Sequence, residues 1–153
     1  MKAVALESKG IEREKYDQRL AETLRDHGVR PGKGLVLLAG FMRILSRAFV
    51  EKYHDRIMNI HPALLPSFPG VRAQRQALTH GVKVSGCTVH FVVPEVDAGP
   101  IIVQKAVPVK EDDDEDSLSS RILRQEHRLY PLAVKLFVEG CLRTEGRRVK
   151  IIR

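Results

Sequence analysis

Asn59 and His61 stand two residues apart where an apolar run, Arg56-Ile57-Met58-Asn59-Ile60, meets a segment punctuated by Pro62, Pro66, Pro69 and Gly70. The run reads as a short buried strand, and the chain after it can only extend or turn. His61 precedes Pro62, which biases its backbone away from the helical region. Side chains two apart in a strand share a face, so a carboxamide and an imidazole lie side by side at the strand's carboxyl end. In open α/β sheets that end is where ligands bind, and an imidazole exchanges protons near neutrality. Two readings stand: the pair satisfies loop backbone, or it does chemistry. Asp97 bears on the choice. It lies in Pro94-Glu95-Val96-Asp97-Ala98-Gly99-Pro100, a loop whose prolines and glycine fix its shape. Either it caps its own turn, or it folds over His61, where its carboxylate would favour the cationic imidazole.

Elements that could position these groups follow from periodicity. Ile11, Tyr16, Leu20 and Leu24 fall near one helical face, and Gly28 supplies a stop, so the spacing predicts an amphipathic helix over 11–27. Residues 35–39 are apolar without alternation, as in a strand covered on both faces. A helix followed by such a strand implies parallel winding. Gly40-Phe41-Met42-Arg43-Ile44-Leu45 leaves that strand, and Ser46 caps a short helix to about Tyr53. The Met-Arg-Ile-Leu segment forms either an apolar ligand wall or plain core. A helix is expected over 73–79, stopped by Gly81.

Residues 84–93 alternate, with Cys87, Val89, Phe91 and Val93 on one side and Thr88, His90 and Val92 on the other, a strand with one polar-decorated face. Another strand spans 101–109. The acidic run Glu111-Asp112-Asp113-Asp114-Glu115-Asp116 immediately precedes a helical pattern, where negative charge complements the positive dipole end, and this explains it better than a metal site. Leu118, Ile122, Leu129, Ala133, Phe137 and Val138 are that helix's apolar positions; Pro131 should kink or divide it, and Gly140 ends it. Residues 141–152 read as a hairpin turning near Glu145-Gly146.

Composition narrows the function. With 153 residues the chain suits one domain with a real core. A net charge of +7 points to anionic small molecules or nucleic acid. The basic residues are scattered, however, and aromatics are only 5%, so a basic solvated surface explains the charge better than nucleic-acid binding. Cys87 and Cys141 lack metal-ligand spacing and read as reduced, packed thiols. No apolar segment approaches membrane-spanning length, and no signal sequence opens the chain, so a cytoplasmic location is expected.

Four segments in order carry a family resemblance: Ala39-Gly40-Phe41-Met42-Arg43-Ile44-Leu45, Asn59-Ile60-His61-Pro62-Ala63-Leu64-Leu65-Pro66, Val96-Asp97-Ala98-Gly99-Pro100 and Gln125-Glu126-His127-Arg128-Leu129-Tyr130-Pro131. Together they resemble the phosphoribosylglycinamide formyltransferases. The Asn-x-His-Pro-x-Leu-Leu-Pro motif is shared with methionyl-tRNA formyltransferases and formyltetrahydrofolate deformylases. The Phe-Met-Arg-Ile-Leu and Gln-Glu-His-x-x-Tyr-Pro segments favour the ribonucleotide enzymes.

The resemblance implies an α/β, Rossmann-like formyltransferase fold: a mostly parallel sheet flanked by helices, one domain over 1–153 with a C-terminal hairpin. It implies transfer of a formyl group from 10-formyltetrahydrofolate, the co-substrate, to glycinamide ribonucleotide in purine (IMP) biosynthesis, with no metal. The partners would be these two small molecules, neither nucleic acid nor membrane, with a homodimer admitted. His61 would be the general acid/base, Asn59 would hold the formyl oxygen, and Asp97 would keep His61 cationic when needed. Arg13, Met42, Arg43, Ile44, Leu45, Asn59, Val93, Pro94, Glu95, Val96 and Asp97 would contact the folate. Leu123, Arg124, Gln125 and Glu126 would contact the ribonucleotide, Glu126 at its ribose. No glycine-rich loop precedes a helix before Gly28. The resemblance therefore also implies an N-terminally incomplete chain, without the family's first strand and phosphate-binding loop, with weak ribonucleotide binding and an open sheet edge. Two alternatives remain: a deformylase releasing formate from the same folate, and an inactive truncated remnant that only binds folate.

Overall fold

The computed structural model describes residues 3–152. In chain order the elements are α1 (Arg13–Asp26), β1 (Val36–Leu38), α2 (Arg47–Lys52), β2 (Ile57–His61), α3 (Ala73–His80), β3 (Val84–Phe91), β4 (Ile101–Pro108), α4 (Glu115–Val138), β5 (Leu142–Glu145) and β6 (Arg148–Ile151). The strands form one sheet in the order β1-β2-β3-β4-β6-β5. The α/β architecture is as expected, but the sheet is mixed rather than mostly parallel. β1/β2 and β4/β6 are parallel, whereas β2/β3, β3/β4 and β5/β6 are antiparallel. The short connections after β3 and β5 can only fold back, and only the crossover through α2 gives the parallel step the sequence implies.

Alternation along β2 separates two cores. Met58 and Ile60 face α4, where Val89, Phe91, Leu118, Ile122 and Ala133 close around them. Ile57 faces the other way, with Val36, Leu45, Phe49, Val50 and Tyr53, beneath α1 and α2. Each fully buried residue such as Leu118 or Ile122 contributes about 1.5–3 kcal/mol. By the same alternation Asn59 and His61 lie on the α1/α2 face, just beyond the point where that core ends.

Local signals placed most helix ends. Ser46 accepts the Phe49 N–H and starts α2. Gly81, at φ 68°, ends α3 in the left-handed conformation that glycine adopts without strain. The acidic run opens α4, with Asp114 and Ser117 forming a reciprocal cap.

Two local expectations need correction. The 35–39 run is not covered on both faces: Leu37 is 46% exposed, because on the α4 side it lines an open groove rather than packed core. Pro131 does not divide its helix, since α4 continues to Val138. Buried Leu129 and Ala133 hold the flanking turns on the sheet. The Tyr130 hydroxyl, 2.9 Å from the carbonyl oxygens of both Leu38 and Met58, ties the same turn to β1 and β2. The polar-decorated face of β3 is buried, with Thr88 and His90 as inaccessible as their apolar neighbours. The hairpin forms as expected and joins the main sheet through β6.

Candidate active site

The carboxyl end of β2 gathers the three groups singled out from sequence. His61 is 4% exposed, with Nε2 2.8 Å from the Phe68 carbonyl oxygen and Nδ1 3.4 Å from Asp97 Oδ2. The same Asp97 oxygen accepts the Gly70 N–H at 2.7 Å, which clamps the loop after β2 to the loop after β3. Asp97 therefore folds over His61. It does so at φ 51°, a left-handed conformation that aspartate tolerates better than most residues.

A glycine makes this geometry possible. A side-chain carbon on Gly99 would overlap the Phe91 carbonyl oxygen, so only glycine lets the Asp97 loop sit down on the end of β3. There the Phe91 N–H donates to the Pro100 carbonyl at 2.9 Å. Gly86, earlier in β3, is required for a different contact: an added carbon there would overlap the Lys105 carbonyl oxygen of β4.

The 63–66 turn is held from below by β3 and β4. Thr88 Oγ1 donates to the Ala63 carbonyl at 2.7 Å and accepts from Leu65 N at 3.1 Å and from Gln104 Nε2 at 2.9 Å. Gln104 Nε2 also donates to the Leu65 carbonyl at 2.9 Å. One donor and two acceptor sites are the full capacity of a hydroxyl, so Thr88 leaves nothing of its own unpaired.

His90 is the group that the reading of the sequence missed as a site residue. It lies directly opposite Asn59 in the β2/β3 register and is 2% exposed. Its Nδ1 is 2.9 Å from the Phe91 carbonyl, its Nε2 is 3.4 Å from Asn59 Nδ2, and Asp97 Oδ1 is 3.8 Å from Nε2. Burial holds its pKa below 6.5; the Phe91 carbonyl and Asp97 offset this in part, and His61 adds to it. The signal was available, since alternation in 84–93 put Thr88 and His90 on one face. That this face meets the 59–70 segment is a tertiary fact.

The remaining expected residues divide. Met42, 86% exposed, and Ile44, 53% exposed, stand open at the end of β1, as a ligand wall requires. Leu45 instead faces the core beneath α2. Arg43 is committed to structure: its guanidinium donates to the Ser8 and Ile11 carbonyls at 2.7 and 3.0 Å and lies 4.4 Å from the Tyr16 ring centre. Asp17 Oδ2, accepting the Ser46 N–H at 2.6 Å, fixes the far end of the same segment. Val93 and Pro94 are half-buried, Val96 is exposed, and Glu95 forms an exposed ion pair with Arg47 at 3.0 Å. Such a pair contributes little. Arg13 is exposed on the first turn of α1, and no hydrogen bond or ion pair among the described residues ties it to His61, Asn59 or Asp97.

On α4, Leu123 and Glu126 line a polar cavity of about 330 Å³ with Gln74, Asp116, Ser119 and Ser120. They also border an apolar groove of about 950 Å³ running along the β1 edge past Leu37, Ile60 and Tyr130. Burial raises the pKa of Glu126, with His127 acting against it. Arg124 is exposed and lines neither space, and Gln125 is half-buried beside them. Among the described residues no group of three or more His, Cys, Asp or Glu side chains could hold a metal, and no helix is long and apolar enough to cross a membrane.

Chemically, the cluster offers an amide N–H, an imidazole and a carboxylate gathered at the carboxyl end of β2. Such a set can stabilise an oxyanion and move a proton.

Residues 2–134 match the family model described as formyl transferase. Phosphoribosylglycinamide formyltransferase of Escherichia coli is 47% identical over 131 residues, which cover 86% of this chain and 60% of that protein. Trifunctional purine biosynthetic protein adenosine-3 of Drosophila melanogaster is 52% identical over 128 residues, 84% of this chain and 9% of that protein. Among solved structures, glycinamide ribonucleotide transformylase 1 from Symbiobacterium toebii superposes with a TM-score of 0.88 at 56% identity, covering 93% of this chain and 65% of that one. A formyltetrahydrofolate deformylase from Pseudomonas syringae pv. tomato gives 0.85 at 27% identity, covering 93% and 46%. The chain thus spans less than two thirds of the length of each of these relatives.

Proposed function

The chain belongs to the formyl transferase family, and on that premise we propose that it moves a formyl group from 10-formyltetrahydrofolate to the amine of glycinamide ribonucleotide, a cytoplasmic step of purine synthesis. The observation that carries the reading is the convergence of Asn59, His61 and Asp97, from two separate parts of the chain, at the carboxyl end of β2. Attack of the amine on the formyl carbon gives a tetrahedral intermediate whose oxygen carries negative charge. The Asn59 amide and a protonated His61 are the donors for it, and a preorganised donor of this kind contributes about 3–4 kcal/mol in acyl-transfer sites. Collapse of the intermediate breaks the bond to the folate nitrogen, while a proton passes from the attacking amine to that nitrogen. His61 is placed to carry it.

Nε2 of His61 is bonded to the Phe68 carbonyl, so proton transfer through that nitrogen exchanges this contact for one to substrate. Asp97 holds the opposite nitrogen and orients the ring. In this reading the folate lies against Met42, Ile44 and residues 93–97, with Leu45 behind them. Arg43 braces that wall through its backbone contacts. Arg13, exposed on α1, is also assigned to the folate. Leu123, Arg124, Gln125 and Glu126 are assigned to the ribonucleotide, which the polar cavity at Glu126 supports. A homodimer remains part of the proposal and is checked by sedimentation.

The test supplies purified chain with 10-formyltetrahydrofolate and glycinamide ribonucleotide and follows the formylated product. Product that requires both substrates and disappears in His61→Ala is expected. Formate released without an amine acceptor would make the protein a deformylase, a reading weakened by 27% identity to that relative against 56% to the transformylase. Folate binding unchanged by His61→Ala, with no turnover in either protein, would mark a remnant.

A further inference from the structure

We infer that His90 is a positioning residue: it presents a bare Nε2 that accepts from Asn59 Nδ2, and so fixes which end of the Asn59 carboxamide is offered to substrate. The inference rests on the proposed formyl transfer for its catalytic meaning, though the contact itself does not. A carbonyl oxygen only accepts, so the Phe91 carbonyl, 2.9 Å away, places the ring hydrogen on Nδ1. A neutral imidazole carries one N–H, and Nε2 is then an acceptor. The atom 3.4 Å from it is the Asn59 amide nitrogen.

Two further observations show that this arrangement is built. Asn59 and His90 are register partners, whose side chains stand on one side of the sheet. The β3/β4 register shifts between Val89 and His90, an irregularity of the kind that re-aims a side chain beside a functional site.

The groups facing His90 make the tautomer matter. Asp97 Oδ1 lies 3.8 Å from Nε2, and His61 shares the same carboxylate. A bare Nε2 makes no claim on Asp97, which stays with His61 and Gly70. It also removes the ambiguity of the Asn59 amide. Turned over, Asn59 would aim its own oxygen at the formyl oxygen and repel the charge it is meant to stabilise. The alternative is that His90 merely fills space and satisfies the Phe91 carbonyl.

Two substitutions separate these roles. In His90→Asn the side-chain amide nitrogen falls near the Nδ1 position and keeps the Phe91 bond, but nothing reaches the Nε2 position. In His90→Gln the side-chain oxygen reaches the Nε2 position and accepts from Asn59, while the Phe91 bond is lost. The expected result is kcat within a few-fold of normal for His90→Gln, and a fall of about 100-fold for His90→Asn with KM for folate unchanged, the size expected for one misdirected oxyanion donor. The reverse order, or equal loss in both, or loss in neither, overturns the inference.

A readout independent of turnover accompanies it: side-chain nitrogen spectra of the unmodified protein, with the Asn59 carboxamide signals followed in both variants. Hydrogen on Nδ1 of His90, with the Asn59 signals held in His90→Gln and averaged in His90→Asn, is expected. Hydrogen on Nε2 of the neutral ring overturns the inference outright. Absence of formyl transfer in the unmodified protein would remove the proposed reaction, and these spectra would still decide the contact.

Discussion

Gly99 and Phe91 touch so closely that a single carbon added to Gly99 would overlap the Phe91 carbonyl oxygen. This contact sets the height of the Asp97 loop above His61. Gly99→Ala must lift the loop or open the end of β3, an overpacking that costs about 1–3 kcal/mol. The Asp97 contacts to His61 and Gly70 would go with it. We expect a lowered melting temperature together with a loss of formyl transfer much larger than the stability loss explains. Near-normal turnover in Gly99→Ala would show that the loop's height is not critical.

Asp97→Asn asks a different question at the same place. The amide oxygen can still accept the Gly70 N–H, so the loop should stay in position. What is lost is the negative charge 3.4 Å from His61 Nδ1. Transfer should fall by about 100-fold or more, the usual scale for disabling an acid/base group, while thermal stability changes little. Asp97→Ala removes both functions and should lose stability as well. Equal stability losses in the two variants would mean that the charge, rather than the Gly70 bond, holds the loop.

Much of this arrangement was legible locally and little of it globally. Ser46, Gly81 and the acidic run before α4 mark helix ends through contacts within a few residues, and such signals survive folding. The mixed sheet was not legible, because strand direction depends on partners that periodicity does not name. Leu37 looked buried because its run is wholly apolar, yet on the α4 side it lines an open groove. Pro131 looked like a break, yet packing on both flanking turns overrides it. His90 was visible as one polar residue in an alternating strand. Its role follows only from lying opposite Asn59, which a single strand's pattern cannot state.

Thr88 offers a test of the support under the site. Thr88→Val keeps the shape of the side chain and removes its hydroxyl, leaving the Ala63 carbonyl and the Leu65 N–H without that partner. Each buried group so orphaned costs about 1–3 kcal/mol. Denaturant unfolding should show a destabilisation of that order or larger, with the 63–66 turn exchanging its amide hydrogens faster. Gln104→Leu should cost less, because Thr88 still holds the Leu65 N–H. If the two variants lose equal stability, Gln104 is as important to the turn as the hydroxyl.

Acid should destabilise the protein in two separable steps. Burial makes His90 bind a proton less readily in the folded chain than the ordinary histidine value of 6.5. Above that value the ring is neutral in both the folded and unfolded chains, and the stability it shares in is complete. As pH falls below it, the unfolded chain takes up a proton that the folded chain resists, so stability declines until the folded ring titrates too. Asp113 acts lower on the scale. Its carboxyl is held well below the ordinary 3.8, chiefly by the hydrogen bonds from the Arg121 guanidinium and then by the Lys110 N–H. Stability from that pair is therefore kept until pH falls past 3.8 and is lost below it. Denaturation midpoints followed from neutrality downward should fall first below 6.5 and again below 3.8. His90→Gln should erase the first step and leave the second; Asp113→Asn should keep the first and shrink the second, at a lower stability throughout, because the Asp114 carboxyl is also held below its ordinary value by the Ser117 N–H. A first step that persists in His90→Gln would assign it to another group, and the neutral state ascribed to His90 in the folded protein would be wrong.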